Sequence, residues 1–285
     1  MIVDWSMLES LAYCSEKFHL SYVENWGPAR VATSLAFGGA LHKGLNLLAS
    51  KHSLKESVDE FLVQFAPFDG MDDVRTLEKG AELLRAYVDQ DREGGWEVEL
   101  TEVNFSVDLT PSVTLAGKID KLGRKDGVRA IQDWKTSTQP WQFVANPNHQ
   151  ATCYLLGGRT ILDPTIEDFY FELVGVFKGS FEGFRTIRGK GSESARTESV
   201  FQSVHVNRTT RQVEEFIKDV VAWSNLMKVC LNEDHWPMNT ANCNGKYGLC
   251  PFHPACLAGE GKQAILEVMY KKVKWDPLKG ESTEL

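Results

Sequence analysis

No stretch of about 18 apolar residues occurs in this chain, so it offers no candidate membrane-spanning helix. Nor does it open like an exported protein. MIVDWSMLES is acidic and has no apolar h-region, so no secretory signal is read. A basic excess is also missing: 31 Lys and Arg stand against 39 Asp and Glu, a net charge of −8. That excludes coating nucleic acid by bulk charge and leaves a local patch or a metal ion to meet phosphate. Cysteine is sparse, six in 285 residues, too few for a disulfide scaffold. With no export signal the expected compartment is the reducing cytoplasm, where clustered cysteines suggest metal or cluster ligands. There is no internal repeat, and no G-x-x-x-x-G-K-[ST] loop that would signal a built-in helicase motor. What remains is ordinary globular chemistry, 42% hydrophobic and 25% charged.

The chain reads as helices first. Ser6 and Glu9 form a capping-box pattern ahead of Leu8, Leu11, Ala12, Cys14, Phe18 and Tyr22, and Gly27-Pro28 stops that helix. Further helices are predicted over about 35–50, 53–65 and 73–92. Residues 97–109 then alternate as a strand, with Val98, Leu100, Glu102, Asn104 and Ser106 on one face and Val103, Phe105 and Val107 on the other. Strands over 113–123 and 128–136 are joined by Lys125-Asp126-Gly127 as a hairpin. A helix over 147–160, strands over 167–178 and 198–206, and a long helix over 208–231 follow. Pro237, Gly245, Gly248, Pro251 and Pro254 mark a loop-rich end. This order predicts an α/β fold, a mixed central sheet flanked by helices. Residues 178–197 carry Lys178, Arg185, Arg188, Lys190 and Arg196 against Glu182 and Glu193, either a loop that touches a polyanion or a solvated hairpin tip.

The informative stretch is Gly117-Lys118-Ile119-Asp120 and, on the next strand, Asp133-Trp134-Lys135-Thr136. Residues i and i+2 of a strand share a face, so Asp133 and Lys135 project together and Trp134 points away. Hairpin pairing centred on 125–127 brings Asp120 near Asp133. Two carboxylates can hold Mg²⁺ or Mn²⁺, and a lysine beside them can stabilise charge on a phosphoryl group. A surface hairpin with an ordinary ion pair is the plain alternative. Around this core lie His42 behind Gly38-Gly39, Glu102 on the preceding strand, and Gln150 and Tyr154 on one face of a helix. Trp134, Trp141 and Phe143 flank it and could stack on bases or pack in the core. His149 could reach a phosphate.

Taken in order, these pieces resemble the RecB-type, Cas4-like branch of the PD-(D/E)XK nuclease superfamily. Gly38-Gly39-Ala40-Leu41-His42 matches its G-x-x-x-H helix and Gly117-Lys118-Ile119-Asp120 its G-x-x-D strand. Asp133-Trp134-Lys135-Thr136 matches its D/E-x-K-T strand, and Gln150-Ala151-Thr152-Cys153-Tyr154 its Q-x-x-x-Y helix. The resemblance implies a restriction-endonuclease-like fold and a metal-dependent exonuclease acting on DNA ends with a single-strand preference. It implies His42, Asp120, Asp133 and the Trp134 carbonyl as metal ligands, Lys135 as the catalytic lysine, and Gln150 and Tyr154 as DNA-contacting or positioning residues. Glu102 stands between a further acidic ligand and a plain strand residue. Settings consistent with the resemblance are replication, recombination or repair in a virus or mobile element, or CRISPR spacer processing, with partner proteins of those systems. Some relatives form DNA-threading toroids, so a homo-oligomer falls within the expectation. A non-catalytic DNA-binding module and a zinc-stapled interaction protein are the competing readings.

Cys14 lies in the first helix, and Cys243, Cys250 and Cys256 lie in the tail with C-x₆-C-x₅-C spacing. Four thiolates suit a [4Fe–4S] cluster or tetrahedral Zn²⁺, and His253 could complete a Cys₃His zinc site. The resemblance implies the cluster, since iron–sulfur relatives place one cysteine in an N-terminal helix and three near the C-terminus. Here Ser15 stands where the family has proline, and Cys243 to Cys250 is longer than its C-x-x-C. The expected division is an N-terminal helix over 1–30, a nuclease core over 31–235 and a cysteine segment with tail over 236–285. Cys153 and Cys230 read as buried small hydrophobes.

Overall fold

Side-chain caps and turn residues set most of the boundaries. The computed structural model describes residues 1–178, 200–245 and 248–284. After a short strand β1 (Ile2–Val3), helix α1 (Trp5–Tyr13) is capped by Asp4, whose carboxylate accepts the Met7 N–H at 2.8 Å. The cap is therefore Asp4 rather than the Ser6–Glu9 box. Cys14 is extended and breaks the helix, which resumes as α2 (Ser15–Phe18) and a π turn at His19–Val23. Gly27-Pro28, expected as a stop, belongs to strand β2 (Trp26–Pro28). Helices α3 (Thr33–Ala49), α4 (Leu54–Phe65) and α5 (Leu77–Asp89) follow, α4 opened by a Ser53–Glu56 capping box and α5 by Thr76.

Three long strands come next: β3 (Trp96–Thr110), β4 (Val113–Lys125) and β5 (Val128–Ser137). Asp126 and Gly127 have φ of 51° and 84°, the two positive values a tight two-residue hairpin turn requires. That turn sets Lys125 opposite Val128 and carries the register to Lys121 opposite Gln132. Helix α6 (His149–Ile161), strands β6 (Asp168–Gly175) and β7 (Phe201–Asn207) and helix α7 (Thr210–Glu233) complete the central layer. The basic stretch 178–197 lies, beyond Lys178, outside the described residues. The tail is more ordered than its prolines and glycines suggest. It holds β8 (Asn244–Gly245), β9 (Gly248–Leu249), α8 (His253–Leu257), α9 (Lys262–Met269), β10 (Tyr270–Asp276) and β11 (Glu281–Glu284).

The central sheet is mixed, in the order β1-β4-β5-β6-β7, with β3 on the other side of β4. The β3–β4, β4–β5 and β6–β7 pairs are antiparallel, while β1–β4 and β5–β6 are parallel. One core lies between the sheet and α1, α6 and α7, around Ile119, Ile131, Phe169 and Phe216. A second lies under α3, α4 and α5, around Phe37, Phe61, Tyr87 and Trp134. A third, smaller core joins Leu20 and Trp26 to Phe252, Leu266 and Tyr270. Burying such apolar side chains contributes about 1.5–3 kcal/mol each. A small second sheet, β11-β10-β2, ties the tail to the start of the chain.

Two irregularities shape the site. β1 pairs with β4 only at Thr114–Leu115 and β5 only from Lys121 onward, so along that edge of β4 residues 116–120 are unpaired, while β3 covers the other edge. The strict alternation expected of residues 97–109 fails at a register shift between Val98 and Leu100. Val98 consequently packs into the second core while Leu100 is exposed.

Candidate active site

Asp120 stands at the end of the β4–β5 ladder, and the fork opens there. Its carboxylate accepts the Trp134 backbone N–H at 3.1 Å, taking the place of a ladder bond. Asp133 and Lys135 project from β5 toward α6, and Lys135 Nζ lies 2.5 Å from Asp133 Oδ2. From α6, Gln150 Nε2 donates to Asp133 Oδ1 at 3.4 Å and to the Tyr154 hydroxyl at 3.0 Å. From α3, His42 Nδ1 lies 3.5 Å from Asp120 Oδ2. A backbone hydrogen bond also links the His42 ring to Trp134, and a ring N–H can only donate, so the Trp134 carbonyl is its acceptor. Four separate elements thus bring His42, Asp120, Asp133, Trp134, Lys135, Gln150 and Tyr154 together.

Gly38 explains how α3 comes this close. A Cβ there would sit 3.0 Å from Thr136 Oγ1, whereas one at the neighbouring Gly39 would meet nothing within 4 Å. The glycine four residues before His42 lets the helix lie against the strand that carries Asp133 and Lys135.

Burial controls the charges. Asp120 and Asp133 are 8% and 2% exposed, and desolvation pushes each carboxyl up to about 6, against the pull of the Lys135 ammonium. Burial and the same ammonium push His42 down to about 4, so its imidazole is neutral at pH 7. Asp133 Oδ2 is buried without a hydrogen bond; the Lys135 contact is a close ion pair that lacks hydrogen-bond angles. A buried carboxylate oxygen met only by an ammonium, a second carboxylate, a neutral imidazole and a carbonyl are donors a divalent cation takes. The residues fit such an ion, although among the described residues no three His, Cys, Asp or Glu side chains are drawn into a closed metal cage.

A model of the PD-(D/E)XK nuclease superfamily matches residues 5–257. The chain belongs to that superfamily. Among solved structures, one from Eubacterium rectale, provisionally named an exonuclease, is 12% identical with a TM-score of 0.51, covering 83% of this chain and 84% of that one. At that identity the likeness is one of fold. A second, SSO0001, is 12% identical over 77% of this chain and 85% of its own, with a TM-score of 0.27, too low to carry an argument. No curated protein matches the chain.

At three positions of this superfamily member where the sequence left a nucleic-acid contact open, the structure shows packing. Trp134 is fully buried in the second core, so it cannot stack on a base. Phe143 packs edge-on against Phe171 at 4.8 Å, and half-buried His149 packs against the rings of Trp5, Phe216 and Trp223. The Trp141 side chain lies outside the described set. Glu102 lies across from Asp120 with φ of 52°, a left-handed backbone that costs a non-glycine residue about 1–3 kcal/mol. Its carboxylate pairs with Lys118, and its charge pushes up the pKa of both Asp120 and His42.

The four cysteines singled out in the sequence line one small cavity, with Tyr13, Lys17, Met238, Asn239, Asn242, Phe252 and His253. None is in a disulfide. The Asn239 N–H points at Cys14 Sγ, 3.4 Å away, and the Cys250 N–H donates to the Cys243 carbonyl at 2.8 Å. Burial, with Glu16, Cys14 and Cys250 nearby, pushes the Cys256 thiol up to about 11. As the thiols stand the cavity holds about 20 Å³, the room of a single ion or water. Cys153 and Cys230 are buried elsewhere.

The sequence reading missed a set of charged residues on the reverse face of the sheet. Lys121, next to Asp120, is fully buried with its ammonium 2.8 Å from Glu93 Oε2, and Arg92 pairs with the buried Glu172. A lysine between Asp120 and Leu122 of a strand reads as solvent-facing, and its partner Glu93 lies far away in sequence, in the carboxylate-rich turn after α5.

Proposed function

We propose that this chain is a metal-dependent DNA exonuclease of the Cas4/RecB-like kind, acting on strand ends with a preference for single strands. The observation that carries the reading is the buried Asp133 carboxylate at the sheet fork, with one oxygen held only by its close ion pair with Lys135. His42, Asp120, Asp133 and the Trp134 carbonyl would hold Mg²⁺ or Mn²⁺. The bound ion supplies Lewis acidity toward a phosphodiester oxygen and lowers the pKa of a coordinated water. Lys135 places a positive charge beside that position, where it offsets charge developing on the phosphate during in-line attack. Gln150 holds the Asp133 carboxylate in place, and Tyr154 holds Gln150. Neutral His42 keeps a nitrogen lone pair free to bind the ion.

In this reading the cysteine cavity holds a [4Fe–4S] cluster that joins Cys14 to Cys243, Cys250 and Cys256. The small cavity and the presence of His253 favour zinc as a second reading. Iron, zinc and acid-labile sulfide measured on anaerobically purified protein separate the two. Intracellular DNA processing, in recombination, repair or spacer acquisition, is the matching setting. Nuclease activity is tested with end-labelled single- and double-stranded DNA. Progressive, divalent-dependent loss of label or length by wild type, absent in Lys135→Ala, supports it. DNA binding without cleavage by wild type transfers the reading to a non-catalytic binding module.

A further inference from the structure

Behind the candidate site the sheet carries a buried polar chain. The Trp134 indole N–H donates to the Tyr87 hydroxyl at 3.2 Å, and that hydroxyl donates to Glu93 Oε1 at 2.7 Å. Lys121 Nζ bonds the other Glu93 oxygen at 2.8 Å and sits 4.3 Å from the Trp96 ring centroid and 5.5 Å from that of Trp134. Tyr87, Lys121 and Trp134 are all within 1% of complete burial. Each anchored strand position is one residue from a metal-site carboxylate: Lys121 follows Asp120, and Trp134 follows Asp133. The Trp134 backbone is itself part of the site, with its N–H on Asp120 and its carbonyl facing His42.

We infer that Tyr87, Glu93 and Lys121 are positioning residues that hold the Trp134 backbone, and with it Asp120 and His42, in the arrangement that receives the divalent ion. This positioning role rests on the nuclease function proposed above and deepens it. A satisfied network of this kind has one low-energy arrangement, because each buried member loses its partner if another turns away. Turning the Trp134 indole would break its bond to Tyr87 and tilt the peptide that meets Asp120 and His42. Arg92 on Glu172, the β6 residue paired with Trp134, braces the same peptide from the neighbouring strand. Partners of metal-binding groups commonly account for about tenfold or more in metal affinity or activity.

Tyr87→Phe is the test, since it keeps the ring and its edge contact with Phe201 and removes only the hydroxyl. Mn²⁺ affinity is read by calorimetric titration without DNA, and kcat and KM on single-stranded DNA are read beside it. The expected result is an affinity for Mn²⁺ about tenfold weaker and a comparable fall in kcat, with KM for DNA unchanged. Trp134→Phe should also weaken Mn²⁺ binding, and the double variant should lose less than the two single losses combined, because they share the Trp134–Tyr87 bond. A lower Tm with Mn²⁺ affinity and kcat at wild-type values would overturn the inference while leaving the nuclease reading intact. Additive losses in the double variant would overturn it too. A wild type that neither binds Mn²⁺ nor cleaves DNA would overturn the nuclease reading, and the inference with it.

Discussion

Asp120 and Asp133 work against the fold when ionised. Each has a folded pKa of about 6 against an ordinary 3.8, so the stability linked to the protonated carboxyl is full below about pH 4 and gone above about pH 6. At neutral pH in EDTA, Asp120→Asn should therefore raise stability by about 1–2 kcal/mol while abolishing cleavage. The substituted amide oxygen can still accept the Trp134 N–H. Thermal melts at pH 4 and pH 8 check this: the gain should appear only at pH 8, and an equal gain at both would contradict the assigned burial. Cation binding has the opposite dependence. Both carboxyls must shed protons to hold a metal, so Mn²⁺ affinity should rise steeply from pH 5 to about pH 7 and then level off. A flat profile across that interval, measured by titration calorimetry, would count against these ligands.

At the level of elements, close approach decides function. Phe105 of β3 leaves no room for a side chain at Gly157, where a Cβ would lie 2.6 Å from its ring. Gly157→Ala should destabilise by about 1–3 kcal/mol and, by shifting the helix that carries Gln150, lower kcat more than DNA affinity. Gly39→Ala in α3 is the control: with open space around it, it should stabilise by about 0.5–1 kcal/mol and leave cleavage alone. Much of this level was legible in sequence. The Asp126-Gly127 turn admits one register, and that register carries Asp120 to the fork beside Asp133. The helix spacing of Gln150 and Tyr154 likewise put both on the site-facing side. The buried Lys121 was not legible, because its burial depends on Glu93, which is distant in sequence and reaches it only through the fold. Nor was β2, whose three residues pair with β10, almost 250 positions later.

Across the whole molecule the two chain ends are joined at several points. Tyr13 Oη donates to the Asn242 carbonyl at 2.7 Å, and Asn242 Nδ2 returns a bond to the Tyr13 carbonyl at 2.6 Å. Trp275 Nε1 meets the Asp4 carboxylate at 2.5 Å, and Lys262 pairs with Glu16. A metal held by the four thiols would reinforce a clasp that the protein already makes. If the thiols hold a metal as proposed, Cys256→Ser should lose it and several degrees of Tm yet remain folded, as judged by far-UV circular dichroism. Full metal content in that variant would remove Cys256 from the ligand set. No helix among the described residues is long and apolar enough to cross a membrane.

The central claim is that the cluster around Asp133 and Lys135 cuts DNA with a divalent ion. Single-turnover cleavage of an end-labelled strand, in Mn²⁺ and in EDTA, tests it on wild type, Asp133→Ala and Lys135→Ala. The account predicts cleavage by wild type in Mn²⁺ alone, and losses of at least about a hundredfold in both variants with the fold intact. Cleavage that persists in EDTA, or that survives either substitution at wild-type rate, would contradict it.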